Sequence, residues 1–193
     1  MYPEELNLSL DLLLLKLLNL KLAHPFFDPL MKGISELKYW WPVFTGLSFL
    51  ILWRKGREAP VIIGLTLVCY MLSEFISYDL VKPFFRRERP CQVLPWVRLV
   101  MSFCPKSPSF PSTHVANSFS VAFFLSFYFP KARALFLGVA ALVGVSRIYL
   151  GVHYPSDVLG GALIGMGISW TIRYLYEGVK RWAKRKSSRP CGT

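Results

Sequence analysis

The chain has 193 residues, 53% hydrophobic and 16% aromatic, with 18% charged, a formal net charge of +12 and a mean hydropathy of +0.39. That balance is too apolar for a water-soluble domain of this length and fits a one-domain polytopic membrane protein. The basic residues cluster at the ends of apolar runs and form no stripe interleaved with aromatics, which argues for membrane topology and against a nucleic-acid partner.

The start, "MYPEELNLSLDLLLLKLLNLKL", is acidic where a signal peptide is basic and has no small-residue cleavage site. Residues 6–22 are leucine-rich, but Asp11, Lys16, Asn19 and Lys21 interrupt them. A charge at mid-bilayer costs about 2.5–3.5 kcal/mol. The stretch therefore reads as an amphipathic helix lying in the interface, with a sixth, imperfect span as the alternative.

Five apolar runs follow, at 39–53, 60–81, 114–129, 133–150 and 156–176, set against about 20 residues needed to cross a bilayer. The expected fold is an all-α, polytopic membrane bundle of five transmembrane helices plus the interfacial helix. It divides into an N-terminal segment 1–38, a transmembrane domain 39–178 and a basic tail 179–193. Gly161 and Gly165 form a GxxxG pair that suits close helix packing.

"RKGREAP", "PKAR" and "KRWAKRKSSR" fall on one face of that arrangement, which the positive-inside rule assigns to the cytoplasm. Lys82, Arg86, Arg87, Arg89, Arg98, Lys106 and Arg147 fall on the other. So many outer cations call for a job besides topology. Arg86, Arg87 and Arg98 are expected to snorkel to headgroups, and His24 to be structural. Cysteines 69, 91, 104 and 191 show no CxxC spacing and no His/Cys cluster, so no metal ligation through sulfur is expected. Cys91 and Cys104 bracket the apolar loop "CQVLPWVRLVMSFC", and an oxidising periplasm would let them pair. The loop is expected to rest on the bilayer, with Trp96 at headgroup depth and Leu99 helping to admit an amphiphile.

Three stretches meet on the outer face: "KPFFRRERP" from Lys82, "PSTH" from Pro111, and "SRIYLGVHYPSD" from Ser146. Lys82, Arg89 and Arg147 supply cations suited to phosphate oxygens. Pro111 in a first helical turn, capped by Ser109, would aim the amides near Ser112, Thr113 and His114 at an anion. Pro155 would start the next helix likewise. Ser112 and Ser146 would otherwise serve as caps. One imidazole can attack phosphorus while another protonates a leaving oxygen. Asp157, four residues after His153, is placed to orient its ring. With no cage of carboxylates for magnesium in the pattern, the cations would stabilise transition-state charge.

These stretches resemble the signature of the type-2 phosphatidic acid phosphatase superfamily: K-x6-R-P, then P-S-G-H, then S-R-x5-H-x3-D. The chain departs from it once, at Thr113, where glycine is usual. The resemblance implies a metal-independent, cofactor-free lipid phosphatase with its site at the outer end of a helical bundle. His153 would become a phosphohistidine, Asp157 would orient it and His114 would protonate the leaving group. Lys82, Arg89, Ser112, Arg147 and the amide of Thr113 would hold the phosphoryl oxygens. Soluble haloperoxidases share the pattern, but five apolar runs argue against that branch. The implied setting is a bacterial inner membrane with the site facing the periplasm. Lipid A 1-phosphate is the favoured substrate, with undecaprenyl diphosphate and phosphatidylglycerophosphate also in range. A lipid phosphotransferase using the same intermediate and a non-catalytic anion-binding or transport protein are the alternatives.

Overall fold

A computed structural model describes residues 9–187. The first eight residues of the N-terminal segment and the end of the basic tail, with Cys191, lie outside the described residues. Those described are mainly helical, with no strand among them. In chain order, α1 (Leu10–Lys16) runs on as a wider π-type turn over Leu17–Lys21, and α2 (Phe27–Ser35) follows. α3 (Trp41–Lys55) ends at Gly56, where α4 (Ala59–Phe75) begins a path through Ile76–Val81 into α5 (Lys82–Phe85). The short α6 (Pro90–Val93) precedes a long loop, and α7 (Thr113–Tyr128), α8 (Arg133–Tyr149) and α9 (Pro155–Ser187) complete the bundle.

Among the described residues, three helical stretches are long and apolar enough to cross a membrane: Trp41–Val93, which contains α3 and α4, Pro130–Tyr149 and Pro155–Lys186. The 16 residues of α7 span about 24 Å at 1.5 Å per residue, short of a hydrocarbon core of about 30 Å. Large apolar side chains such as Phe49, Leu67, Met71, Leu163 and Trp170 face outward, as expected where the solvent is lipid. The inner end is closed by Ile51, Ala59, Ile62 and Leu125.

α7 is the central helix, with Val115, Ala116, Phe124 and Leu125 buried. α9 packs on it through the predicted glycines. A Cβ on Gly161 would stand 2.5 Å from the Ser112 carbonyl oxygen, and one on Gly165 would strike that of Ala116. Small residues here let the two backbones touch.

The N-terminal helix is anchored by residues that look, in sequence, like interruptions. Asp11 accepts from the Ser156 amide at 2.8 Å and from Arg87 Nη2 at 2.8 Å. Buried Asn19 donates to the carbonyls of Arg98 and Tyr149, each at 2.8 Å, and accepts from the Arg98 amide at 2.8 Å. Both anchors bind the outer ends of α8 and α9, so the segment lies across that end of the bundle. Leu15 packs with Ile148 and Tyr154 beneath it, while Leu10, Leu13, Leu17 and Leu20 are exposed on its other side.

The loop after α6 departs from expectation. Trp96 is half-buried in the cluster of Leu15, Ile148 and Tyr154, with Lys16 Nζ 5.1 Å from its ring centre. Leu99 packs on Tyr149, Leu150 and Val152. The loop is apolar because it fills the space between the N-terminal helices and the α8–α9 turn. At that turn Gly151 has φ +78°, and a Cβ there would stand 2.8 Å from the Arg98 carbonyl oxygen. A disulfide joins Cys91 to Cys104 across the loop, their Cα atoms 6.0 Å apart.

Candidate active site

A cavity of about 540 Å³ opens at the end of the bundle that carries the three sequence stretches. Lys82, Arg89, Thr113, His114, Arg147 and His153 all line it. The structure thus brings together residues that lie up to 71 positions apart in the chain. α5 presents Lys82, the last turn of α8 presents Arg147, and the α8–α9 turn presents His153.

The three cations are almost fully buried, at 3–4% exposure. Lys82 Nζ donates to the Pro108 carbonyl at 2.9 Å. Arg89 donates through Nε to the Ser107 carbonyl at 2.8 Å, through Nη2 to Ser107 Oγ at 3.1 Å, and through Nη1 to the Val152 carbonyl at 3.0 Å. Arg147 Nη1 bonds Ser35 Oγ, at the end of α2. None of the three has a carboxylate partner among the described residues. Arg147 Nε and the hydroxyls of Ser112 and Thr113 are buried with no hydrogen-bond partner. Buried polar groups are rarely left so.

His153 is 1% exposed. Its Nε2 lies 3.0 Å from Arg89 Nη1. Since a guanidinium only donates, Nε2 is the acceptor and the ring proton sits on Nδ1. Burial, reinforced by the charges of Arg89, Arg147 and Lys82, holds this imidazole neutral well below its ordinary titration range. Nδ1 stands 3.5 Å from Asp157 Oδ2 and 3.4 Å from Ser109 Oγ. His114, in the first turn of α7, is exposed to the same cavity.

Asp157 opens α9 and is fully buried. Its Oδ2 accepts from Ser109 Oγ at 2.5 Å and from the Tyr154 amide at 2.8 Å, and its Oδ1 from Arg87 Nη1 at 2.8 Å. Pro155 starts α9, as read from sequence. Pro111 does not start α7: it precedes the N-cap Ser112, whose amide donates to the Asp157 carbonyl at 3.0 Å. Ser109 is not a cap either, because the buried carboxylate claims its hydroxyl. Ser112 makes no side-chain cap bond, and Ser146 bonds the Val143 carbonyl within α8.

Two expected headgroup arginines have other partners. Arg87 bridges Asp11 and Asp157 and lies 4.0 Å over the Tyr154 ring. Arg98 grips Asp28 through both terminal nitrogens, at 2.8 and 2.7 Å. Burying Asp157 without a charge partner would be costly, and Arg87 supplies one. Arg86 remains at the surface, bonded to the Pro83 carbonyl. Ser35 is therefore a site residue that the sequence did not reveal, while Ser109 and Arg87 are site residues that it placed on that face in other roles, a helix cap and a headgroup contact. Only the doubled arginine in "RRER" hints at one of them. His24 does not line the cavity; its backbone is bonded to the Tyr149 hydroxyl and its Nδ1 accepts from the Phe26 amide at 3.2 Å.

Buried uncompensated cations, orphaned hydroxyls at a helix start and a neutral imidazole around one cavity describe a helical membrane enzyme that handles a tetrahedral oxyanion. A model of the PAP2 superfamily matches residues 62–181, and the chain belongs to that superfamily. It is 30% identical over 166 residues to the lipid A 4'-phosphatase of Porphyromonas gingivalis, covering 82% of this chain and 70% of that protein. It is 31% identical over 170 residues to the undecaprenyl-diphosphatase of Sulfolobus acidocaldarius, covering 86% and 78%. Among solved structures, LpxE of Aquifex aeolicus aligns with a TM-score of 0.72 at 31% identity, over 90% of this chain and 99% of that one. The chain is a lipid phosphatase, a phosphoric ester hydrolase.

Proposed function

We propose that the chain removes phosphate from a lipid of the outer leaflet through a phosphohistidine on His153. The observation that carries this reading is the set of cations without carboxylate partners, together with the unpartnered Thr113 hydroxyl, converging with two imidazoles on one cavity. Lys82, Arg89, Arg147, Ser112 and the first-turn amides at Thr113 take the phosphoryl oxygens. As the anion arrives, Arg89 turns from Nε2 to a phosphoryl oxygen, which frees the lone pair. Nε2 then attacks phosphorus, the bond to the lipid oxygen breaks, and His114 gives that oxygen its proton. Water next attacks phosphorus and loses a proton to His114, the P–N bond breaks, and phosphate departs. Asp157, held by Arg87 and Ser109, keeps the proton on Nδ1 and stabilises the charge that develops on the ring. The cations stabilise the charge spread over the phosphoryl oxygens.

The site is read as periplasmic, in a bacterial inner membrane. Basic residues such as Arg54, Lys55, Arg57, Lys131 and Arg133 gather at the opposite helix ends, and the disulfide beside the site suits an oxidising compartment. Five crossings follow if α3, α4, α7, α8 and α9 each span, with the N-terminal helix at the interface and its exposed leucines toward lipid. Lipid A 1-phosphate is the favoured substrate, supported by the likeness to LpxE of Aquifex aeolicus and to a lipid A 4'-phosphatase.

The test is phosphate release by the purified chain, with EDTA present, from lipid A, phosphatidylglycerophosphate and undecaprenyl diphosphate. Release from lipid A fastest of the three is the expected result. Faster release from another lipid overturns the substrate, and release from none overturns the catalytic reading.

A further inference from the structure

The cavity does not end at the phosphate site, and its two walls differ. On one side α4 and the stretch Ile76–Val81 that continues it turn Tyr70, Glu74 and Tyr78 toward it at four-residue spacing, on the face that leads up to Lys82, and α7 adds Asn117. The opposite wall, from α3 and α8, is apolar, with Phe44 and Val143 among its side chains. An ionisable residue within a membrane span is expensive and points to a function. Glu74 is such a residue, and the phosphoryl chemistry above does not use it.

Glu74 Oε2 accepts from Asn117 Nδ2 at 2.5 Å. A carboxylate offers only acceptors, so it fixes the amide with its NH2 group toward Glu74. That leaves Asn117 Oδ1 turned away, buried and without a partner, on a side chain only 9% exposed. Glu74 and Asn117 thus form a shelf of acceptors beside the Tyr70 hydroxyl, in which Asn117 Oδ1 has no partner. Asn117 follows His114 by three residues, about 4.5 Å along the helix. Asn117, His114 and His153 line the same cavity.

We propose that this shelf recognises N–H or O–H donors that the lipid carries close to its phosphate, and that it selects for phosphorylated sugar or glycerol headgroups. A polyprenyl phosphate has hydrocarbon from the ester oxygen onward and leaves the acceptors unsatisfied. The inference rests on the phosphatase reading above and assigns a substrate class to the same site.

The experiment measures kcat/KM of the full-length chain on two kinds of lipid. An N-acylated sugar 1-phosphate lipid and phosphatidylglycerophosphate carry an amide and a hydroxyl donor, respectively. Phosphatidic acid and a polyprenyl diphosphate carry none near phosphorus. Wild type should favour the donor lipids. In Glu74→Gln and Asn117→Leu, that preference should fall by about tenfold or more, as when a polar site loses a buried hydrogen bond. The donor lipid that loses more identifies the group held. Rates that fall equally on all four lipids would show that Glu74 only balances Lys82 or supports folding, and would overturn the shelf. So would a wild type that favours the donor-free lipids. No phosphate release by wild type from any lipid would instead remove the phosphatase reading on which the shelf depends.

Discussion

Five of the cations at the outer end of the bundle stand in two environments. Arg87 and Arg98 reach carboxylates, Asp11 and Asp157 for one and Asp28 for the other, at 2.7–2.8 Å. Lys82, Arg89 and Arg147 are more deeply buried, yet meet mainly carbonyl and hydroxyl oxygens. A buried charge without a counter-ion is costly, so folding alone gives no reason to gather three. The paired set ties the N-terminal helices and the loop to the bundle. The unpaired set keeps its charge available to an anion.

Two substitutions test that division where effects should be largest. His153→Ala removes the atom proposed to take the phosphoryl group, and lipid-phosphate hydrolysis should fall by about 10⁴-fold or more. Phosphate release from detergent-purified protein with wild-type circular dichroism would measure it. Activity within tenfold of wild type would exclude the phosphohistidine. Arg147→Lys keeps the charge but loses the planar fork, and kcat should drop by about 10²- to 10³-fold. A smaller loss would mean that Arg147 serves its bond to Ser35 more than an anion.

The same division explains what the sequence made legible. Lys82, Arg89, Arg147, His114, His153 and Asp157 were visible because each sits in a short stretch whose spacing carries chemistry, and helix ends on one face were bound to meet. The glycines of α9 were legible for a similar reason, since the contact they permit is local to one helix face. The partners of those residues were not visible. Ser109 bonds a carboxylate 48 positions away and Ser35 an arginine 112 positions away, and no periodicity encodes such pairings. Asp11 and Asn19 misled in a different way. Polar residues in a leucine run look the same whether they face headgroups or hydrogen-bond to other helices. Trp96 looked like a membrane anchor because the N-terminal helix that covers it is remote in sequence.

Arg87 lies between the two sets, paired with a carboxylate that itself faces the nucleophile. Arg87→Ala should lower kcat by about 10- to 100-fold with little change in KM, because a misplaced Asp157 misaligns the ring. Asp11→Asn should cost less, since Asp157 keeps its guanidinium partner. An equal loss in the two variants would mean that the N-terminal helix, rather than Asp157, carries the effect. The pH profile gives a smaller effect near neutrality. The proposed mechanism needs one imidazole neutral and the other protonated, so kcat/KM should be bell-shaped. His153 is held neutral below its usual value of 6.5, so activity persists as pH falls through 6.5 and is lost only in stronger acid. A flat profile across pH 5–9, or an acid limb above 6.5, would contradict these roles.

The smallest effect belongs to a pair that does not line the catalytic cavity. Arg98 holds Asp28 near pKa 2, chiefly by hydrogen bonding, against an ordinary value of 3.8. A carboxyl depressed in the folded state adds stability that is complete above its unfolded pKa and lost as pH falls from about 4 toward 2. Both side chains are partly exposed, at 36% and 26%, and such pairs contribute about 0–1 kcal/mol. Arg98→Lys breaks the two-pronged grip and should lower the unfolding midpoint by no more than about 4 °C at neutral pH. The difference from wild type should vanish near pH 2, and kcat should stay within twofold. Should Arg98→Lys reduce turnover as steeply as Arg147→Lys, a carboxylate partner would not separate the cations that build this end of the bundle from those that bind.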